Sequence, residues 1–141
     1  MNKTYVILEI ARTYSSMDEA REMIKIASEN GVNAIKIQTI VAKDLMVLND
    51  NTKTYFNMLE SLHRTKEEHL QIKSFCDEYG IHFLSTPESL DSVDLLDSIG
   101  VNAFKISSLD LVYDRLLKKV SKKGKPVYLS TGMSTPEEIQ H

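Results

Sequence analysis

Five times along this chain a short apolar run of strand length ends in polar or small residues, and helical stretches fill the intervals. The runs are Tyr5-Val6-Ile7-Leu8-Glu9-Ile10, Ala34-Ile35-Lys36-Ile37, Ile81-His82-Phe83-Leu84-Ser85, Ala103-Phe104-Lys105-Ile106 and Pro126-Val127-Tyr128-Leu129-Ser130. Nearly continuous apolar runs suit strands buried on both faces, as in a parallel sheet. Between them apolar residues recur at helical spacing: Ala20, Met23, Ile24 and Ala27 in the first interval, and the patterns over 67–79, 90–99 and 113–122 later. Strands alternating with helices of about ten to fifteen residues mean βαβ crossovers, hence an α/β fold with a parallel sheet.

Local signals punctuate the pattern. Ser16 is placed to cap the first helix, with Glu19 three residues on to complete a capping box. Gly31 and Gly80 are placed to end helices. Thr135-Pro136-Glu137-Glu138 reads as a further helix start, a capping Thr followed by Pro at the first helical position. One stretch, 39–66, is far longer than a usual βα connection. Its Leu45-Met46-Val47-Leu48 and Tyr55-Phe56-Asn57-Met58-Leu59 are too apolar for a disordered linker. A long loop with a short helix over the strand ends is expected, as a lid or as an ordinary covering insertion. Gly31-Val32-Asn33-Ala34-Ile35-Lys36-Ile37 is echoed by Gly100-Val101-Asn102-Ala103-Phe104-Lys105-Ile106. Such an echo suits a barrel of repeated βα units, and equally two open-sheet strands in similar surroundings.

At 141 residues the chain is long enough for one domain with a real core. A net charge of −3 and one short basic cluster, Lys122, Lys123 and Lys125, argue against a nucleic-acid partner. Apolar runs of five or six residues argue against a membrane span, and the N-terminus shows no signal-peptide pattern, so a cytoplasmic protein is expected. Cys76, the only cysteine, excludes an intramolecular disulfide and reads as a core residue on an apolar helical stretch.

The chemistry lies at the strand ends. In parallel α/β folds the site forms at the carboxyl ends of the strands. There the sequence places Glu9, then Lys36 with Gln38, Ser85 with Thr86, Lys105 with Ser107 and Ser108, and Ser130 with Thr131. Each lysine is flanked by apolar residues, and a buried ammonium without an anion is costly. Either the lysines are structurally paired, for example Glu9 with Lys36 across adjacent strands, or they hold an anionic ligand such as phosphate or carboxylate. Two lysines with several hydroxyls favour the ligand. The histidines, His63, His69, His82 and His141, show no pair at metal-ligand spacing.

At these residues the sequence resembles the sialic acid synthase family, including the pseudaminic and legionaminic acid synthases. The matching segments are Val6-Ile7-Leu8-Glu9-Ile10, Ala34-Ile35-Lys36-Ile37-Gln38-Thr39, Leu84-Ser85-Thr86-Pro87, Phe104-Lys105-Ile106-Ser107-Ser108 and Leu129-Ser130-Thr131-Gly132-Met133. The resemblance implies a TIM (β/α) barrel, of which residues 1–141 supply about five of the eight βα units as its N-terminal part. It implies condensation of phosphoenolpyruvate with an N-acetylated aldose such as N-acetylmannosamine, giving a nine-carbon keto acid and phosphate. Carried over by position, Lys36, Thr86, Lys105 and Ser108 would hold the phosphoenolpyruvate anion, Gln38 would line the same pocket, and Glu9 would act as an acid, base or orienting group. Ser85, Ser107 and Thr131 complete the expected binding set. A divalent metal, typically manganese, is implied as well, with ligands in the later half of the barrel and none in this chain.

The family's Gly-x-Asn-His-like turn is replaced by Ala11-Arg12-Thr13-Tyr14-Ser15, with Arg12 near the pocket mouth, and its Phe-Asp after Thr-Pro by Glu88-Ser89. A partial barrel exposes sheet edges, so a homo-oligomer or association with the remaining half is expected. The alternatives are a non-catalytic anion-binding remnant and another pyruvate-utilising barrel synthase.

Overall fold

A computed structural model describes residues 4–11 and 13–140. Five strands, β1 (Ile7–Glu9), β2 (Ala34–Thr39), β3 (His82–Pro87), β4 (Ala103–Ile106) and β5 (Val127–Leu129), form one parallel sheet in the order β1-β2-β3-β4-β5. A doubly wound open sheet reverses its strand order at a switch point. Here every strand pairs with its sequence neighbour, which is the winding of a TIM barrel. The sheet curls enough for Tyr5, just before β1, to stack on Tyr128 of β5, with ring centroids 6.2 Å apart. The result is a half-barrel.

Helices α1 (Met17–Glu29), α4 (Lys66–Glu78), α5 (Leu90–Ser98) and α6 (Asp114–Ser121) cover the convex side. Their buried faces, including Ala20, Ile24, Ile72, Cys76, Leu96 and Leu116, pack on Ile35, Ile37, Phe83, Phe104 and Ile106. Cys76 is fully buried there, and burial pushes its thiol up to about 12, as a core residue requires. The caps form where the sequence places them. Ser16 Oγ accepts from the Glu19 amide, and the Glu19 carboxylate accepts from the Ser15 amide and hydroxyl. Thr65 and Glu68 make a full capping box on α4. Gly31 and Gly100 follow their helices at φ 79° and 75°, in the left-handed region that favours glycine.

The internal echo has a structural cause. Asn33 Oδ1 accepts from the Val6 amide at 2.8 Å, and Asn102 Oδ1 accepts from the Phe83 amide at 2.9 Å. Each asparagine ties the entry of its strand to the preceding one, and three residues on each strand carries its lysine. The echo therefore marks repeated barrel units.

Two expectations are corrected. The stretch 39–66 holds two short helices rather than one, α2 (Ala42–Leu45) and α3 (Lys53–Glu60), around a small core of Ile40, Ala42 and Leu59. The outer strands are also not buried on both faces. Leu8 is 38% exposed and Leu129 42%, because β1 and β5 are the sheet's edges. A final helix, α7, spans Pro136–Gln140. Among the described residues no helix is long and apolar enough to cross a membrane.

Candidate functional site

Side chains of a strand alternate between faces, so each strand contributes to two separate layers. On the concave side Ala34, Leu84 and Ala103 form a small apolar floor with Ile7. Above it, towards the strand ends, the lining turns polar. Lys36 is ion-paired with Glu9 across the β1–β2 register and lies 3.5 Å from Thr86 Oγ1. Gln38 follows Lys36 on the same face and lines a cavity of about 350 Å³ with Glu9, Ala11 and Thr13. Lys105 enters from β4, its ammonium donating to Ser130 Oγ at 2.6 Å and to the Ile106 carbonyl.

The two lysines differ in their electrostatics. Lys36 has its carboxylate. Among the described residues Lys105 has none within ion-pair distance; burial, then repulsion from Lys36, hold its ammonium below the ordinary lysine range, and Glu9 and Asp110 oppose this only from farther away. Asp110 closes the 3₁₀ turn Ser108–Asp110 after β4, and burial pushes its carboxyl above the ordinary range against the pull of Lys105. A second cavity of about 370 Å³ opens beside it. Gln38, Glu88, Ser107 and Asp110 line one side, and Leu45, Met46, Tyr55 and Leu59 of the 39–66 insertion, with Leu109, line the other. The insertion thus forms a wall of the site. Beyond β5, Met133 sits at φ 66° and is fully exposed, a left-handed conformation uncommon outside glycine.

The structure brings Glu9, Lys36, Gln38, Thr86 and Lys105 together. Ser107 borders the second cavity while its hydroxyl accepts from the Leu109 amide. Ser108 lies beside Gly132, where a Cβ would stand 3.7 Å from Ser108 Oγ. Thr131 is exposed, and it is its neighbour Ser130 that touches Lys105. Ser85 is corrected. It pairs with Ile37 in register and so points to the helix layer, fully buried, bonded to Thr39 Oγ1 at 2.8 Å. Adjacent residues of one strand cannot both face the pocket, and the inward one is Thr86. Arg12 lies outside the described residues. Two residues escaped the sequence reading, Asp110 and His69. The signal for His69 was its helix face, which it shares with the buried Ile72 and Cys76.

The class that fold and site define is a parallel (β/α)-barrel protein with a cationic pocket at its strand ends. Within that class, residues 23–141 match the model of the NeuB family, and the chain belongs to that family. An uncharacterized protein of Methanocaldococcus jannaschii is 39% identical over 96% of this chain and 40% of its own length. The N,N'-diacetyllegionaminic acid synthase of Campylobacter jejuni is 31% identical over 99% of this chain and 46% of the relative. The crystal structure of an N-acetylneuraminic acid synthetase from Leptospira borgpetersenii, in complex with citrate, superposes with a TM-score of 0.89 at 28% identity, covering 99% of this chain and 48% of that one. The chain thus spans less than half the length of these relatives.

Proposed function

We propose that this chain forms the phosphoenolpyruvate side of a sialic-acid-type synthase. The observation that carries the reading is the convergence of two ammonium groups, Lys36 and Lys105, of which only Lys36 has a carboxylate, Glu9, within ion-pair distance among the described residues. Phosphoenolpyruvate, with its phosphate and carboxylate, supplies the missing negative charge, and Thr86, Ser108 and Ser130 supply hydroxyl donors around it. The apolar lining of Leu45, Met46, Tyr55 and Leu59 beside the polar Gln38, Ser107 and Asp110 suits a second substrate that carries an apolar group on a hydroxylated frame. The acetamido methyl of an N-acetylated aldose is such a group.

In the proposed reaction C3 of phosphoenolpyruvate attacks the aldehyde carbon of the sugar, and the aldehyde oxygen takes up a proton. Water adds at C2 and gives up a proton, and the tetrahedral intermediate expels phosphate to leave the keto acid. Lys36 and Lys105 hold the anion through these steps and stabilise the charge that gathers on the departing phosphate. Asp110, whose carboxyl burial pushes above the ordinary range, would donate a proton, and Glu9 would orient Lys36 or accept one.

The divalent metal implied by the resemblance does not fit these residues. Among those described, no three His, Cys, Asp or Glu side chains gather as a metal site. The resemblance implies that its ligands lie in the rest of the barrel. The exposed outer faces of β1 and β5 are proposed to meet that remainder or a second copy, in the cytoplasm.

Calorimetric titration with phosphoenolpyruvate tests the reading. The chain is expected to bind, and the Lys36→Ala/Lys105→Ala double variant to bind about 100-fold more weakly or not at all, given the strength of charge-assisted bonds. Equal affinity in the two folded proteins would refute the pocket.

A further inference from the structure

A second polar cluster lies on the opposite side of the same two strands, sealed between sheet and helices. His69 and Ser85 are fully buried and Thr39 is 2% exposed. His69 Nδ1 lies 2.8 Å from the Thr65 carbonyl oxygen, and Nε2 lies 3.0 Å from Thr39 Oγ1. Thr39 Oγ1 lies 2.8 Å from Ser85 Oγ, which also approaches the Ile37 carbonyl at 3.2 Å.

The direction of this chain follows from donor chemistry. A carbonyl oxygen only accepts, so His69 carries its proton on Nδ1. Burial holds the ring below the ordinary histidine range, which favours the neutral form. Nε2 is then bare and accepts from the Thr39 hydroxyl, which leaves Thr39 Oγ1 to accept from Ser85. The order is Ser85 to Thr39 to His69 to the Thr65 carbonyl, with one hydrogen for each link.

The location gives the chain its consequence. Thr39 directly follows Gln38, and Ser85 directly precedes Thr86, so pinning one pair outward sets the other pair inward. At the last rung of this ladder Thr39 stands opposite Pro87. The side-chain relay adds a cross-link between β2 and β3 at the level of the pocket. The same relay roots the 39–66 insertion: His69 holds Thr39 at its start and Thr65 at its end, and His63 Nδ1 bonds the Ile40 carbonyl at 3.0 Å beside it.

We infer that His69 is a positioning residue: acting through Thr39 and Ser85 from behind the sheet, it sets Gln38 and Thr86 in the anion pocket and anchors the wall of that pocket. It touches no ligand. The affinity part of this inference rests on the proposed phosphoenolpyruvate site, and the geometric part does not.

The test compares the chain with His69→Phe, which removes both bonds, His69→Gln, which can restore a donor and an acceptor, and Thr39→Val, which keeps the shape and cuts one link. In the unaltered chain, long-range proton–nitrogen correlation spectra should show His69 protonated on Nδ1 and bare on Nε2. The backbone amide signals of Gln38 and Thr86 should shift in His69→Phe and Thr39→Val and return towards their places in His69→Gln. Phosphoenolpyruvate affinity should fall about tenfold in the first two and recover in the third. If His69→Phe fails to fold, Thr39→Val carries the comparison. A ring protonated on Nε2, or unmoved Gln38 and Thr86 signals in a folded variant, would overturn the inference. Absence of phosphoenolpyruvate binding by the unaltered chain would instead count against the proposed function, with the spectra still deciding the role of His69.

Discussion

β2 and β3 carry two polar clusters back to back, and they obey opposite rules. Behind the sheet Thr39, Ser85 and His69 are sealed, uncharged and mutually bonded. In front, Lys36, Gln38 and Thr86 meet Glu9 and Lys105 in an open, charged and unbalanced set. The rear cluster satisfies itself, as a stable interior demands. The front one keeps an ammonium whose surroundings work against its charge. The contrast separates groups that hold the barrel together from groups proposed to hold an anion.

The contrast can be broken from either side. Ser85→Ala removes a fully buried link and leaves Thr39 short of a donor, so stability should drop by about 2 kcal/mol in chemical denaturation, with little direct effect on charge in the pocket. A drop below about 0.5 kcal/mol would show that the sealed cluster is less cooperative than its geometry implies. Lys105→Met should do the reverse. The folded state depresses the lysine's pKa, so at neutral pH its charged form costs stability, a cost that disappears only as pH rises through the folded value towards the unfolded one near 10.5. Its removal should leave stability unchanged or raise it by up to about 1 kcal/mol while anion binding is lost. Marked destabilisation would mark Lys105 as structural.

The smallest effect near neutrality is the pH dependence of binding. If the anion binds as proposed, through protonated Lys105, affinity should be flat at low alkalinity and fall as pH passes the depressed value, beginning below the ordinary lysine range. In Lys105→Met that alkaline limb should disappear.

Much of the fold was legible because the signals are local. Capping residues, helix-ending glycines and apolar periods placed α1, α4, α5 and α6 within a residue or two, while the echo around Asn33 and Asn102 suited a repeated barrel unit and an open sheet alike. What stayed hidden depended on neighbours. The run around Val6 and Leu8 reads as buried on both faces, yet burial needs a covering element that no local pattern reports. Ser85 and Thr86 look equivalent in sequence, and only the register with Ile37 and Gln38 decides which faces the pocket. His69 was weighed by metal-ligand spacing, when its place on the Ile72–Cys76 face was the informative fact. Asp110 lies in a locally capped turn, but its burial and its approach to Lys105 depend on neighbours that the local pattern does not report.

The stacking of Tyr5 on Tyr128 has a kinetic meaning. Every strand of the sheet pairs with its sequence neighbour, so the chain can fold by successive addition of units, each closing only a short loop. The tyrosine contact spans nearly the whole chain, and it requires both edges to be in place before it can form. Such a clasp is expected to form late: contacts absent from the folding transition state govern how slowly a structure comes apart rather than how fast it assembles, so Tyr5→Ala should speed unfolding while leaving folding nearly unchanged.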